Sequence, residues 1–150
     1  YASSMLSCQE AHDLGYKAVL YTESVEHRYI EECGAANFIA IKNGHYITPK
    51  SPSILPSITN DSLRQIAADK GFVVEQRPID IAELPTFEEC GACGTGAIIT
   101  PLSNVFDPQT GEKIHYTDET GPVLLDLYNT FQDIQYGRAE DKFGWCVLVE

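Results

Sequence analysis

Basic residues are scarce in this chain. Ten Lys and Arg stand against 22 Asp and Glu, a formal net charge of −12 over 150 residues. A nucleic-acid binder must neutralise phosphates with a basic surface, so this balance excludes nucleic acid and anionic membranes as partners. No apolar run approaches the roughly 18 residues that cross a bilayer, and no secretory leader is expected at the start. Repeats and low-complexity linkers are absent. So are the spacings of a nucleotide P-loop, a dinucleotide fingerprint and a G-x-S-x-G elbow. The four histidines, His12, His27, His45 and His115, have no close His or Cys at metal-ligand spacing, and no metal is expected.

What remains is a globular composition, 43% hydrophobic and 21% charged, of a length that fits one domain over residues 1–150. The five cysteines (Cys8, Cys33, Cys90, Cys93 and Cys146) are odd in number and irregular in spacing, which predicts reduced thiols and a cytoplasmic protein. Cys90-x-x-Cys93 has no second pair to complete four zinc ligands. It also lacks the following helix that a redox pair opens, so two incidental loop thiols are expected.

Local patterns predict interspersed helices and strands, a mixed α/β domain. A helix is expected over 1–15, with Met5, Leu6 and Leu14 near one face and Gly15 as its stop. Ala18–Tyr21 reads as a short buried strand. Phe38–Ile41 and Tyr46-Ile47 flank Asn43-Gly44, a strong hairpin signal. Thr59 or Asn60 caps a helix running through Ala68, ended by Gly71, and a strand begins at Phe72. Asp80–Glu83 resembles a capping box. Ala97–Ile99 reads as a strand, and Asp107–Gly111 as a loop between Val105-Phe106 and Ile114–Tyr116. Pro122 suits the first turn of a last helix, whose stripe is Val123, Leu124, Leu127, Tyr128, Phe131 and Ile134. Trp145–Val149 reads as a closing strand.

Three local features could bind an anion or a charged ring. Glu31 and Glu32 precede a glycine turn at Gly34, and by composition either acid could serve. Ser57-Ile58-Thr59 opens a helix, whose free N–H groups attract anions. Gly91–Gly96 offers successive backbone N–H groups and the Thr95 hydroxyl. Each alone is more often a surface acid, a helix cap or a plain turn.

Their order is more specific. Glu32-x-Gly34-x-x-Asn37-Phe38, then Leu55-Pro56-Ser57-Ile58-Thr59, then Gly94-Thr95-Gly96-Ala97-Ile98-Ile99-Thr100-Pro101 resembles the branched-chain amino acid aminotransferases, which are fold-type IV pyridoxal phosphate (PLP) enzymes. The tail Asp133-Ile134-Gln135-Tyr136-Gly137-Arg138 is similar to the same group. The resemblance runs through nearly the whole chain. It implies the large C-terminal domain of that fold, a pseudo-barrel sheet with flanking helices, within a homodimer or higher homo-oligomer.

The resemblance selects Glu32 over Glu31 and pairs it with the pyridine nitrogen of PLP. It places Leu55 against the ring. The backbone of Ile58 and Thr59, with the Thr95 hydroxyl, falls to the phosphate. Thr95 and Gly96 N–H groups fall to the substrate carboxylate, and Tyr1 to the phenolic oxygen. The substrates implied are amino acids and 2-oxo acids: leucine, isoleucine or valine with 2-oxoglutarate, in a ping-pong exchange. The sequence departs from the pattern at Ile39, where an aromatic is common, and at Asn60, where a basic residue is common.

The family's Schiff-base lysine matches none of Lys17, Lys42, Lys50, Lys70, Lys113 or Lys142. It is expected a few residues before Tyr1, with a smaller N-terminal domain before it in a longer parent, and the 150-residue chain alone is expected to be inactive. The rival expectations are another fold-type IV enzyme, a D-amino acid aminotransferase or a lyase, and a non-enzymatic binding module.

Overall fold

The computed structural model describes residues 2–147 and 149, so Tyr1 lies outside the described residues. Seven strands form one sheet: β1 (Leu20–Thr22), β2 (Ile30–Cys33), β3 (Ala36–Lys42), β4 (His45–Pro49), β5 (Val73–Arg77), β6 (Glu89–Gly94) and β7 (Ile98–Pro101). Strands β8 (Asn104–Phe106) and β9 (Lys113–His115) pair separately. The α-helices are α1 (Met5–Asp13), α2 (Ile58–Asp69) and α3 (Pro122–Gln135), and 3-10 helices cover Ala2–Ser4 and Ile81–Thr86.

Strand β3 anchors the sheet. It pairs antiparallel with β2, β4 and β6. Two tight turns set this register. Asn43 and Gly44 take φ of 49° and 75° in the β3–β4 hairpin, the left-handed pair that such a two-residue turn requires. Gly34, with φ 62°, opens the two-residue turn between β2 and β3. The chain then crosses through α2 to β5, which lies parallel to β4. Beyond β5, the Ile30 N–H donates to the Ile79 carbonyl and the Ile81 N–H to the Arg28 carbonyl. These bonds return the chain to β2 and close the ring β2–β3–β4–β5, the pseudo-barrel that was expected.

Alternation along β3 then separates two cores. Phe38 and Ala40 join Ile30, Ile47, Ile79 and Leu84 in one. Ile39 and Ile41 face Leu63, Ile66, Leu124 and Leu127 of α2 and α3 in the other. The stripe predicted on α3 therefore packs as expected.

Helix α3 begins with Pro122, which has no N–H to offer, after a Gly121 without a side-chain cap. The cap comes from another strand. Buried Glu89 of β6 accepts from Val123 N–H through Oε1 (3.0 Å) and from Leu124 N–H through Oε2 (2.8 Å). A carboxylate at a helix N-terminus gains from both the bonds and the dipole. A Cβ on Gly121 would overlap that carboxyl group.

Several local expectations change. The cap of α2 is Ser57, whose Oγ accepts from Asn60 N–H at 3.1 Å, rather than Thr59 or Asn60. The capping box holds: Asp80 and Glu83 cap the Ile81–Thr86 helix reciprocally. Cys90 and Cys93 lie in strand β6 and not in a loop. The first segment at Ala18–Tyr21 is a half-buried strand from Leu20. Met5, Leu6 and Leu14 stay exposed, because α1 packs no residue into either core. Trp145–Val147 and Val149 form no strand; Trp145 stacks on Phe143 at 4.3 Å between centroids. Leu148 lies outside the described residues.

Arg77 joins β5 to the 3-10 helix. It donates to Glu75 Oε2 (2.8 Å) and, as a fork, to Glu83 Oε1 (2.9 Å) and Oε2 (2.8 Å). The guanidinium is the main cause that holds both carboxyls below their ordinary 4.5. Groups depressed on folding stabilise the fold above their unfolded value, and that contribution fades as pH falls through it. Arg77→Met is therefore expected to flatten the acid limb of stability below about pH 4.5, with little change of slope at neutral pH, in urea melts across pH. Separately, Glu89→Ala is expected to cost about 2 kcal/mol, by loss of two charge-assisted bonds to helix N–H groups. Denaturant unfolding measures it.

Candidate active site

The N-terminal end of β3 is polar. Asn37 is 6% exposed and sits opposite Glu32 across the β2–β3 hairpin. Its Nδ2 donates to Glu32 Oε1 and to the Leu55 carbonyl, both at 3.3 Å. The Leu55 N–H also reaches Glu32 Oε1 at 3.3 Å. Glu32 Oε2 has no hydrogen-bond partner among the described residues. Glu31 projects from the other face of β2 and accepts from the Ser51 hydroxyl.

Helix α2 starts beside this cluster. Ser57 satisfies the N–H groups of Asn60 and Asp61. The first two helical N–H groups, of Ile58 and Thr59, have no acceptor among the described residues, so the positive end of the helix is open to an anion. Thr59 is buried, whereas Ile58 is 86% and Leu55 76% exposed.

Asn60 ties the helix to the sheet. It is 7% exposed, and its Nδ2 donates to Thr48 Oγ1 (2.8 Å) and to Asn37 Oδ1 (3.4 Å). Its Oδ1 accepts from the Tyr46 hydroxyl at 2.8 Å. Burial raises the Tyr46 hydroxyl well above its ordinary range, so it remains a donor.

Thr95 and Gly96 sit in the exposed turn between β6 and β7. Asn37 pairs with Cys93, two residues before Thr95, so the turn emerges at the same end of β3. Ile98, which closes it, holds φ 58°, a costly conformation for a β-branched residue. No hydrogen bond among the described residues joins Thr95 or Gly96 to Glu32 or α2. A cavity of about 390 Å³ lies on the Leu55–Ile58 segment, with Lys50, Asn37 and Asn60 also on its wall. Glu32, Thr59, Thr95 and Gly96 do not line it.

The paired cysteines take no part in such a site. Their spacing of three along a strand sends them to opposite faces: Cys90 joins the barrel core and Cys93 the helix-covered core. Burial pushes both thiols up to about 12 and Cys33 up to about 11. Among the described residues, no group of three or more His, Cys, Asp or Glu is placed to hold a metal ion.

The family description Amino-transferase class IV matches residues 1–105. The chain belongs to this family. It is 42% identical over 160 residues to the branched-chain-amino-acid aminotransferase of Haemophilus influenzae, covering all of this chain and 46% of that protein. Among solved structures it resembles the Escherichia coli branched-chain amino acid aminotransferase, with a TM-score of 0.85 at 31% identity, over 100% of this chain and 47% of that one. It also resembles the branched-chain amino acid aminotransferase from Thermobaculum terrenum in its PLP form, with a TM-score of 0.79 at 30% identity, over 93% of this chain and 44% of that one. The chain thus spans about half the length of the relatives it matches.

The motif assigns Asn37 no role, and sequence order alone does not group Tyr46, Thr48 and Asn60. One signal was available. Tyr46 and Thr48 flank Ile47 and share the opposite strand face, toward Asn60, which lies three residues beyond the serine cap of α2. A thiol-reactive reagent at neutral pH is expected to modify exposed Cys8 and Cys146 quickly. It should reach Cys33, Cys90 and Cys93 only after unfolding. Mass spectrometry of the labelled peptides distinguishes the two sets.

Proposed function

We propose that this chain is the cofactor-binding part of a longer, PLP-dependent branched-chain amino acid aminotransferase. The observation that carries the reading is the joint of Glu32 with the start of α2. An acceptor oxygen, an exposed leucine and two open helix N–H groups are tied together through Asn37 and Asn60. A protonated heteroaromatic ring bearing a phosphate complements such a set, so the residues present fit the cofactor.

When bound, PLP supplies an electron sink for carbanion character at the α-carbon of the amino acid. The protein's part is to hold and polarise. Glu32 accepts from the ring nitrogen, with its Oε1 already steadied by Asn37 and Leu55. Leu55 covers one ring face and excludes water from it. Ile58 and Thr59 N–H groups receive the phosphate, with the Thr95 hydroxyl. Thr95 and Gly96 N–H groups hold the substrate carboxylate, which fixes the α-carbon. By the resemblance, Tyr1 would hydrogen-bond the phenolic oxygen. The lysine that links the cofactor and moves the α-proton lies ahead of Tyr1 in the parent.

Of the chain's own lysines, three are engaged elsewhere: Lys42 with Thr86, Lys70 with Asp126 and Lys142 with Asp69. The parent transfers amino groups between leucine, isoleucine or valine and 2-oxoglutarate, in the cytoplasm, as a homodimer or larger homo-oligomer. The all-thiol cysteines support the reducing compartment.

The test has two arms. The full-length parent is expected to turn over L-leucine with 2-oxoglutarate and not D-alanine. The 150-residue chain, given PLP and borohydride, is expected to show only scattered, substoichiometric lysine adducts and no turnover. A stoichiometric adduct at a single lysine of the chain, such as Lys50 on the cavity wall, together with turnover, would overturn the assignment of the lysine.

A further inference from the structure

We infer that Asn60 is a positioning residue for Glu32: acting through Asn37, it fixes how the carboxylate meets the ring nitrogen of the cofactor. The inference rests on the cofactor reading above and extends it to a residue at which the sequence departs from the family pattern.

The hydrogen bonds have only one consistent direction. The Phe38 carbonyl can only accept, so Thr48 Oγ1 spends its proton there (2.9 Å). Thr48 must then accept, and the group of Asn60 that faces it at 2.8 Å is the NH2. That turns the Asn60 carbonyl toward Tyr46, which donates to it at 2.8 Å. The same NH2 meets Asn37 Oδ1. Asn37 is thereby turned so that its own NH2, and not its carbonyl, faces Glu32 Oε1 and the Leu55 carbonyl. Reversing any one amide would set carbonyl against carbonyl or carboxylate in a buried site, at a cost of about 1–3 kcal/mol per unpaired group.

The polarity set at a strand carbonyl is thus relayed through two buried amides to the carboxylate. Asn60 is also the third residue of α2, but the helix start is capped by Ser57 through the Asn60 backbone N–H and does not need this side chain. The polar atoms of both amides are spent on protein partners, so both act by holding Glu32.

The consequence is selective. Loss of the relay should weaken recognition of the ring nitrogen and leave the phosphate and ring-face contacts intact. The experiment measures dissociation constants of the apo full-length parent for two aldehydes, PLP and 1-deazapyridoxal phosphate, which has carbon in place of the ring nitrogen. Asn60→Ala is expected to weaken PLP about tenfold, the lower end for removing a residue that orients a ligating group. It should change the analogue by less than about twofold, because independent contacts add.

Equal weakening of both ligands, or no weakening of PLP, overturns the inference. Glu32→Gln tests the underlying reading: it should abolish the preference for PLP over the analogue. If that preference survives, the cofactor reading fails whatever Asn60 does. Thermal melting of each apo protein reports folding. Should Asn60→Ala not fold, Tyr46→Phe removes only the hydroxyl that orients Asn60. It must then shift the preference in the same direction by a smaller factor, and an unchanged preference overturns the inference.

Discussion

Strand β3 is the constraint on which the structure depends. It is hydrogen-bonded to β2 and β4 along one edge and to β6 along the other, and both of its faces are covered. Phe38 and Ala40 fill the pseudo-barrel, while Ile39 and Ile41 lie under α2 and α3. No charge fits between residues 38 and 41, and the first, Lys42, comes where the strand leaves the sheet. The opposite end is where apolar burial stops, at Asn37. Glu32, the start of α2 and the Thr95 turn all take their positions from that residue's register. A slip of one position would put Phe38 beside Glu32 and drive an amide into the barrel core.

A polar end on so apolar a strand is tolerated because its groups are paired. Asn37, Thr48 and Asn60 are all buried, and each has a side-chain hydrogen bond. Half-satisfied, such a cluster would cost more than an apolar filling; satisfied, it selects one arrangement. Glu89 does the equivalent work at the other end of β6, where one carboxylate replaces the missing cap of α3. In both places a side chain of the sheet is hydrogen-bonded to the first turn of a helix. The helices are therefore fixed at their N-termini, the ends that can face an anion.

Elements with local signals were legible in the sequence. Asn43-Gly44 demanded its hairpin, the Asp80–Glu83 box its short helix, and the stripe on α3 its packing. Strand β6 was not legible, because Glu-Cys-Gly-Ala-Cys-Gly has the composition of a loop. It is a strand because β3 and β7 pair with it on either side, and its small residues suit that packing: a Cβ on Gly91 would sit 3.2 Å from Leu124 Cδ1 and 3.3 Å from the Thr100 carbonyl. That requirement comes from partners distant in sequence. The candidate site divides in the same way. The resemblance drew attention to Glu32 and to the Ile58-Thr59 turn. The relay through Tyr46, Thr48 and Asn60 depends on how two strands and a helix meet, and the alternation of Tyr46 and Thr48 on one strand face is its only local trace. The aromatic closing segment likewise takes its place from contacts rather than pattern: Trp145 stacks on Phe143 and lies tilted against Phe131.

Leu55 and Ile58 connect this architecture to its use. Both are among the most exposed large apolar residues of the chain, and burying such a side chain is worth about 1.5–3 kcal/mol. Neither is forced outward by the helix that follows, since α2 buries Leu63 and Ile66 on its inner side. They lie beside two helix N–H groups that have no acceptor, and a carboxylate oxygen that has no donor, among the described residues. An apolar ligand alone would leave those polar groups unsatisfied, and a bare anion would leave the leucine and isoleucine in water. The proposed ligand, a flat, protonated ring with a phosphate arm, would offset both deficits at once. On the proposed reading, the exposed pair belongs with the open polar groups beside it as one surface for a single ligand.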